Sequence, residues 1–189
     1  HSKRKLEEKI NKNITFFAYP NGSCNDFNDD IVHILKIHDF DLKTTLFVGM
    51  GNRIKQDDGV GIYISQKIKK LPGSNVIIAE NSIENYLGKI NRQNVAIVLY
   101  IDAMDFGKAP GYSKLLPVEH VKNTTTNTHN LSLSTISRFV QNKNQWIIGI
   151  QPQDISYDFN LSLKIQNTAD QIIQMLYQYS NINPKILKL

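Results

Sequence analysis

Residues 46–61 read Leu-Phe-Val-Gly-Met-Gly-Asn-Arg-Ile-Lys-Gln-Asp-Asp-Gly-Val-Gly, and they give the clearest indication of the fold. A short apolar run passes into a loop rich in glycine and acidic residues. An apolar stripe at helical spacing follows the loop: Val60, Ile64, Ile68 and Leu71. Pro72 and Gly73 then mark the end of that stripe. The stretch therefore predicts a buried strand, a loop and a helix in that order.

The same alternation continues along the chain. Further short runs rich in β-forming residues occupy 76–79, 95–101 and 146–150, and they are continuously apolar rather than alternating. Continuous apolar runs are typical of strands that are buried on both faces, as in parallel sheets. Two more helical stripes follow, the first at Leu133, Ile136 and Val140 and the second at Ile165, Thr168, Ile172, Leu176 and Tyr179. These patterns predict an α/β fold with a mostly parallel sheet, and residues 111–116 favour an extra edge strand that could run antiparallel.

Length and composition restrict the class of protein. At 189 residues the chain is expected to form one domain, residues 41–189, preceded by an N-terminal extension, residues 1–40. The single cysteine, Cys24, excludes an internal disulfide and cysteine-ligated zinc. No apolar run approaches the roughly 20 residues of a membrane span, and the polar, basic start lacks the apolar region of a secretory signal, so we expect a soluble, cytoplasmic protein without membrane insertion. We also expect a monomer.

The net charge of +5 raises the question of nucleic-acid binding. Much of this excess lies in the first twelve residues, where Lys3, Arg4, Lys5, Lys9 and Lys12 outnumber Glu7 and Glu8. A nucleic-acid footprint usually requires a basic face on the fold and a recognisable module as well. We therefore interpret the basic segment as a solvated tail and expect no nucleic-acid partner.

Ligands of open parallel sheets bind beyond the carboxyl ends of the strands, so the loop after the first strand is a candidate site. This loop carries Asp57 and Asp58, whose simplest role would be to cap the following helix. A dinucleotide fingerprint would need glycine where the chain has Ile54, and a Walker-A loop would need a Gly-Lys-Ser/Thr sequence. Two acids at a helix N-terminus would also repel a phosphate.

Two further candidates occupy comparable positions. Asp102 follows the apolar run 95–101, with Asp105 as a weaker candidate further out, although an aspartate there could simply begin a turn. His129 follows a polar run and is predicted in the first turn of a helix, where a histidine is often structural. If Asp58, Asp102 and His129 converge, their two oxygen ligands and one nitrogen ligand would suit nickel or zinc, with coordination positions left open. A serine hydrolase lacks support because no Gly-x-Ser-x-Gly is present.

Four motifs occur together in a fixed order: Gly49-Met50-Gly51-Asn52 with Asp57-Asp58-Gly59-Val60-Gly61; Asp102-Ala103-Met104-Asp105 followed by Pro110-Gly111; Thr128-His129-Asn130-Leu131; and Gly149-Ile150-Gln151-Pro152. In this combination the chain resembles the [NiFe]-hydrogenase maturation endopeptidases over about residues 44–180. It is most similar to the branch that serves formate-hydrogenlyase-type hydrogenases. The extension before the first core strand departs from the family pattern.

The resemblance implies a three-layer α/β/α sandwich of the phosphorylase/hydrolase-like type. It also implies an aspartyl-type endopeptidase that removes a short C-terminal extension from a hydrogenase large-subunit precursor after nickel insertion. The residues that contact nickel and serve catalysis would be Asp58, Asp102 and His129. Nickel would arrive with the precursor, no organic cofactor would be needed, and water could be activated by the metal or by a carboxylate.

Two alternative functions are compatible with parts of the sequence. Gly49 and Gly51 would also suit a Rossmann-like enzyme that binds a nucleotide or a methyl donor, although Ile54 and the acid pair argue against it. The chain could otherwise be a noncatalytic, nickel-dependent partner in hydrogenase assembly, although the set of Asp58, Asp102 and His129 favours catalysis.

Overall fold

A computed structural model describes residues 40, 42–121 and 133–179, with the backbone alone described for 178 and 179. Its strands are β1 (Thr45–Met50), β2 (Asn75–Glu80), β3 (Ile97–Ala103), β4 (Ser113–Pro117) and β5 (Asn144–Ile150). Its α-helices are α1 (Val60–Ile68), α2 (Leu87–Asn91), α3 (Leu133–Ile136) and α4 (Leu163–Tyr179). Short 3₁₀ helices cover Gln56–Gly59, Ile83–Tyr86, Val118–His120 and Ser137–Phe139. His129 and the extension up to residue 39 lie outside the described residues.

The strands form a single five-stranded sheet in the order β2-β1-β3-β5-β4. The pairs β1–β2, β1–β3 and β3–β5 are parallel, and β4 runs antiparallel to β5 at one edge. Every residue of β1 and of β3 is buried, which explains why both strands are apolar in sequence apart from Thr45 and Asp102. The predicted mostly parallel sheet and the extra antiparallel edge strand are both confirmed.

Helices cover both faces of this sheet, which gives the three-layer sandwich. The first apolar cluster joins one face to α1 and α4 and includes Phe47, Leu99, Ile64 and Ile172. The second cluster joins the opposite face to α2 and α3 and includes Val48, Tyr100, Ile90, Leu133 and Ile136. Alternate residues of β1 and β3 thus enter opposite cores, as the two-residue period of a strand requires.

Several boundaries differ from the sequence prediction. Strand β3 extends to Ala103, so Asp102 lies within the strand rather than after it. Helix α3 spans only four residues before a 3₁₀ turn begins at Ser137. The hydroxyl of Ser137 donates to the carbonyl oxygen of Ser134 at 3.0 Å, and such side-chain bonds to the preceding turn weaken helices. The short helix α2 was not predicted.

The strand order creates a crevice at one edge of the sheet. From β1 the chain continues to β2 on one side, and it later returns to place β3 on the other side of β1. The connections that leave β1 and β3 therefore diverge at their carboxyl ends, which is where open α/β sheets bind ligands. No helix in the described part of the chain is long and apolar enough to cross a membrane.

Candidate functional site

The loop after β1 folds back over the end of its own strand. At Gly51 the backbone has a φ of 115°, a conformation that residues with a side chain rarely adopt. The next residue, Asn52, donates its N–H to the carbonyl oxygen of Asp58 at 3.2 Å, while its side-chain oxygen accepts from the N–H of Ile54 at 3.1 Å. These bonds set the 3₁₀ helix Gln56–Gly59 against the carboxyl end of β1.

The backbone carbonyl group of Asp58 and the side chain of Asp102 approach Gly51 from different elements. A side chain at Gly51 would overlap the carbonyl group of Asp58, and its Cβ would lie 3.6 Å from Oδ1 of Asp102. Asp58 belongs to the 3₁₀ helix before α1, whereas Asp102 is the penultimate residue of β3. Residues 44 positions apart in sequence therefore flank one glycine at the crevice.

Both of these aspartates are buried: Asp58 is 1% exposed and Asp102 is 0% exposed. Oδ1 of Asp102 accepts a hydrogen bond from the N–H of Ala103 at 2.9 Å. Burial disfavours the ionised form of a carboxyl group. Such an arrangement costs folding free energy, and acids placed in this way are typical of sites that bind a cation or transfer a proton.

Asp57 has a different role from its neighbour. The sequence favours a cap on the helix that follows, but α1 has no side-chain cap bond. The buried Asp57 carboxylate instead accepts four hydrogen bonds from beyond β5, namely the N–H groups of Gln153 (2.9 Å), Asp154 (3.0 Å) and Ser162 (2.7 Å) and the hydroxyl of Ser162 (2.9 Å). The capping interpretation is therefore wrong for Asp57, which ties the loop after β5 to the loop that carries Asp58.

Gln151 organises the loop after β3. Its side-chain oxygen accepts from the N–H of Phe106 at 2.6 Å and, more weakly, of Lys108 at 3.3 Å, and its amide donates to Oδ1 of Asp105 at 3.2 Å. The N–H of Gly107 and the amide of Gln151 hold the pKa of Asp105 below its ordinary value. The sequence indicated Gln151 only as part of the Gly-Ile-Gln-Pro motif.

The third predicted ligand, His129, lies outside the described residues. The segment that contains it begins after Val121 and ends before Leu133, and both of these residues are buried in the second apolar cluster. The same cluster contains Met50, the last residue of β1, and Met104, the residue that follows β3. Within residues 40, 42–121 and 133–179, no group of three His, Cys, Asp or Glu residues could hold a metal ion.

Comparison with known proteins gives one family. The family model described as hydrogenase maturation protease matches residues 63–179, a range that includes Asp102 and His129 and begins after Asp58. The Escherichia coli K12 hydrogenase 3 maturation protease is 25% identical over 138 residues, which cover 70% of this chain and 88% of that protein. A Methanocaldococcus jannaschii protein, provisionally named a hydrogenase maturation protease, is 28% identical over 145 residues, covering 71% of this chain and 94% of that protein.

Solved structures show the same fold. The crystal structure of the [NiFe] hydrogenase maturation protease HycI from Thermococcus kodakarensis KOD1 has a TM-score of 0.65 at 22% identity and covers 74% of this chain and 94% of its own. The solution structure of the endopeptidase HycI from Escherichia coli also has a TM-score of 0.65, at 23% identity, with coverages of 73% and 92%.

Proposed function

Because the chain belongs to the hydrogenase maturation protease family and is therefore an endopeptidase, we propose that it removes the C-terminal extension of a [NiFe]-hydrogenase large-subunit precursor after nickel insertion. The observation that carries this proposal is that two buried aspartates meet at Gly51, at the switch point of the sheet: Asp58 contacts it through its backbone carbonyl group and Asp102 through Oδ1. Family membership supports proteolysis, and the two buried acids support recognition of a cation in the substrate.

Nickel in this proposal is part of the substrate. Two carboxylates and one imidazole supply three ligands, one fewer than a closed structural zinc site uses. A set of three ligands with open positions suits a metal that another protein already holds through its own side chains. The electrostatic cost of burying Asp58 and Asp102 would be relieved when the positively charged metal arrives. We propose His129 as the third ligand.

Recognition of the metal would also position the scissile bond of the precursor at the crevice. Anchoring the precursor through its nickel would bring a nearby peptide bond to the crevice, and such positioning can lower a reaction barrier by several kcal/mol. Hydrolysis then needs an activated water molecule. Either Asp58 or Asp102 could accept its proton, or the metal could lower the pKa of the water.

The two alternative functions receive less support. A nucleotide phosphate would have to bind near the N-terminus of α1. The 3₁₀ helix just before α1 carries the buried Asp57 and Asp58 there, and negative charge at that place disfavours binding of an anion. The family match also assigns the chain to the proteases rather than to Rossmann-like enzymes or noncatalytic assembly partners.

The proposal is tested by incubating the purified chain with a nickel-loaded large-subunit precursor and measuring the intact mass of the precursor. We expect the wild-type chain to release the C-terminal extension. Asp102→Asn and Asp58→Asn should each process the precursor at least about 100-fold more slowly, because each loses a charged ligand without a change of volume. Asp105→Asn is the matched control, since Asp105 is an exposed acid on the adjoining loop, and its rate should stay within about twofold of wild type.

Melting temperatures measured in parallel show whether the variants are folded. We expect those of Asp102→Asn and Asp58→Asn to stay close to wild type or to rise, because each substitution keeps the volume of the side chain and removes a buried charge. Full processing by Asp102→Asn would contradict the proposed role of this residue, and an intact precursor after incubation with the wild-type chain would contradict the proposed function.

A further inference from the structure

A groove lies beside α1, and its lining includes Gly59, the residue that follows Asp58. Gln56 and Gly59 belong to the 3₁₀ helix and Ile62 and Tyr63 to α1, while Phe159 and Gln166 line the groove from the loop after β5 and from α4. Its volume is about 360 Å³, which lies in the range of sites that hold small ligands. We propose that this groove binds the stretch of the precursor polypeptide next to the scissile bond, an inference that rests on the proposed function.

The wall that carries Phe159 is fixed to the loop that carries Asp58. Lys55 and Asp158 form a parallel β-bridge, and the N–H of Gln56 donates to the carbonyl oxygen of Asp158 at 2.8 Å. The four hydrogen bonds accepted by Asp57 hold both ends of the same loop. A peptide in the groove would therefore be positioned against Asp58 by a preformed wall.

The segment that runs from the loop carrying Phe159 to the start of α4 presents large apolar side chains to solvent. Phe159 is 81% exposed, Tyr157 is 80% exposed and Leu163, at the start of α4, is 75% exposed. Ile155 in the same loop and Ile54 in the loop after β1 are exposed as well. Exposed apolar side chains that cluster beside a site are typical of surfaces that bind a partner, because their contact with water is unfavourable.

The polar groups of the groove suit an uncharged peptide segment. Arg53 is the one cationic residue among the described lining residues, and its Nε is paired with Glu80 at 2.8 Å. In the amide orientation that satisfies both groups, the side-chain oxygen of Gln66 also accepts from Arg53 at 2.7 Å. The remaining polar lining consists mainly of amides, at Gln56, Asn160 and Gln166, which can both donate to and accept from a peptide backbone. A phosphate or nucleotide would meet little available positive charge.

The test compares two exposed phenylalanines on different parts of the molecule. Phe159 lies in the groove, whereas Phe139, which is 62% exposed, ends the 3₁₀ helix that follows α3 on the opposite face of the sheet. Cleavage of a nickel-loaded large-subunit precursor is measured at low and at saturating precursor concentration. We expect Phe159→Ala to lower kcat/KM about tenfold or more with kcat within about twofold of wild type, because it removes apolar area that only the bound segment covers.

Phe139→Ala should leave both kinetic parameters unchanged. Because both side chains are largely exposed, neither variant should lose its fold, and melting curves check this point. An unchanged kcat/KM for Phe159→Ala would overturn the groove proposal, and so would a wild-type dimer that dissociates on Phe159→Ala, since a second copy would then be the occupant. If the wild-type chain binds the precursor without cleaving it, the proposed function is wrong. The groove proposal would then be supported if Phe159→Ala weakens that binding about tenfold and overturned if the binding is unchanged.

Discussion

Asp57 and Ser162 are joined by two hydrogen bonds across 105 positions of sequence. The backbone N–H of Ser162 donates to Oδ1 of Asp57 at 2.7 Å, and its hydroxyl donates to Oδ2 at 2.9 Å. Ser162 is the residue before α4, and Asp57 is the residue before Asp58. The start of the last described helix is therefore fixed to the loop in which one of the proposed metal ligands lies.

The substitution Asp57→Asn should destabilise the fold by about 2–4 kcal/mol. Each oxygen of Asp57 accepts at least one hydrogen bond, so an amide NH₂ in place of either oxygen would face an N–H donor. Urea denaturation measures the free energy of unfolding. The matched control is Asp158→Asn in the exposed loop after β5. Its carboxylate accepts from Asn160, only two residues away, and its substitution should cost less than about 1 kcal/mol. Equal losses in the two variants would contradict the role assigned to Asp57.

Substituting Gly51 should displace the loop that carries Asp58. Gly51→Ala would combine an unfavourable φ of 115° with a collision against the Asp58 carbonyl group. We expect processing of the precursor to fall by at least about tenfold and the free energy of unfolding to fall by more than about 1 kcal/mol. Gly107→Ala is the control, because Gly107 also has a positive φ, of 62°, but no atom within 4 Å of the added Cβ. Unaltered processing by Gly51→Ala would show that the close approach at Gly51 is unimportant.

Asp105 should titrate below the ordinary range of an aspartate. The N–H of Gly107 and then the amide of Gln151 lower its pKa, so its contribution to stability is present above the unfolded pKa of about 3.9 and is lost as pH falls through the folded value. NMR titration of the side-chain carboxyl should show the pKa of Asp105 rising in Gln151→Ala, while the low pKa of Asp154, which depends on Ser156, stays unchanged. A pKa of Asp105 that does not respond to Gln151→Ala would contradict this hydrogen-bond account.

The purified chain should fold without a metal ion. Three proposed ligands with open positions are expected to bind free divalent ions weakly, and the two apolar clusters supply the core of the fold. Addition of a strong chelator should therefore leave the melting temperature unchanged within experimental error. A large decrease would indicate a resident structural metal and would contradict the view that nickel is part of the substrate.

Much of the fold follows from local sequence. The continuous apolar runs around Phe47, Leu99 and Ile148 predicted parallel strands, because strands that are buried on both faces have no solvent-exposed face on which polar residues are needed. The carboxyl-edge rule then selected Asp58 and Asp102 without any knowledge of their distance. The family resemblance supplied their proposed role as nickel ligands.

What the sequence did not predict depends on partners that are distant along the chain. Asp57 was expected to cap the next helix because local patterns favour that role, yet its partners, Gln153, Asp154 and Ser162, lie about 100 residues further on. The extent of α3 was also uncertain from sequence, since Leu133, Ile136 and Val140 keep a helical spacing although the helix changes to a 3₁₀ turn at Ser137. Burial of the apolar residues alone does not fix the backbone that carries them.

Recognition of nickel in the substrate is measured by the intact mass of a large-subunit precursor, prepared with and without nickel, after incubation with this chain. A chelator that does not remove the buried nickel is present in both reactions. We predict that the nickel-loaded precursor loses its C-terminal extension while the nickel-free precursor stays intact, because Asp58, Asp102 and His129 then have no metal to bind. Equal cleavage of the two precursors would contradict nickel recognition and would indicate a peptidase whose activity does not depend on the metal in its substrate.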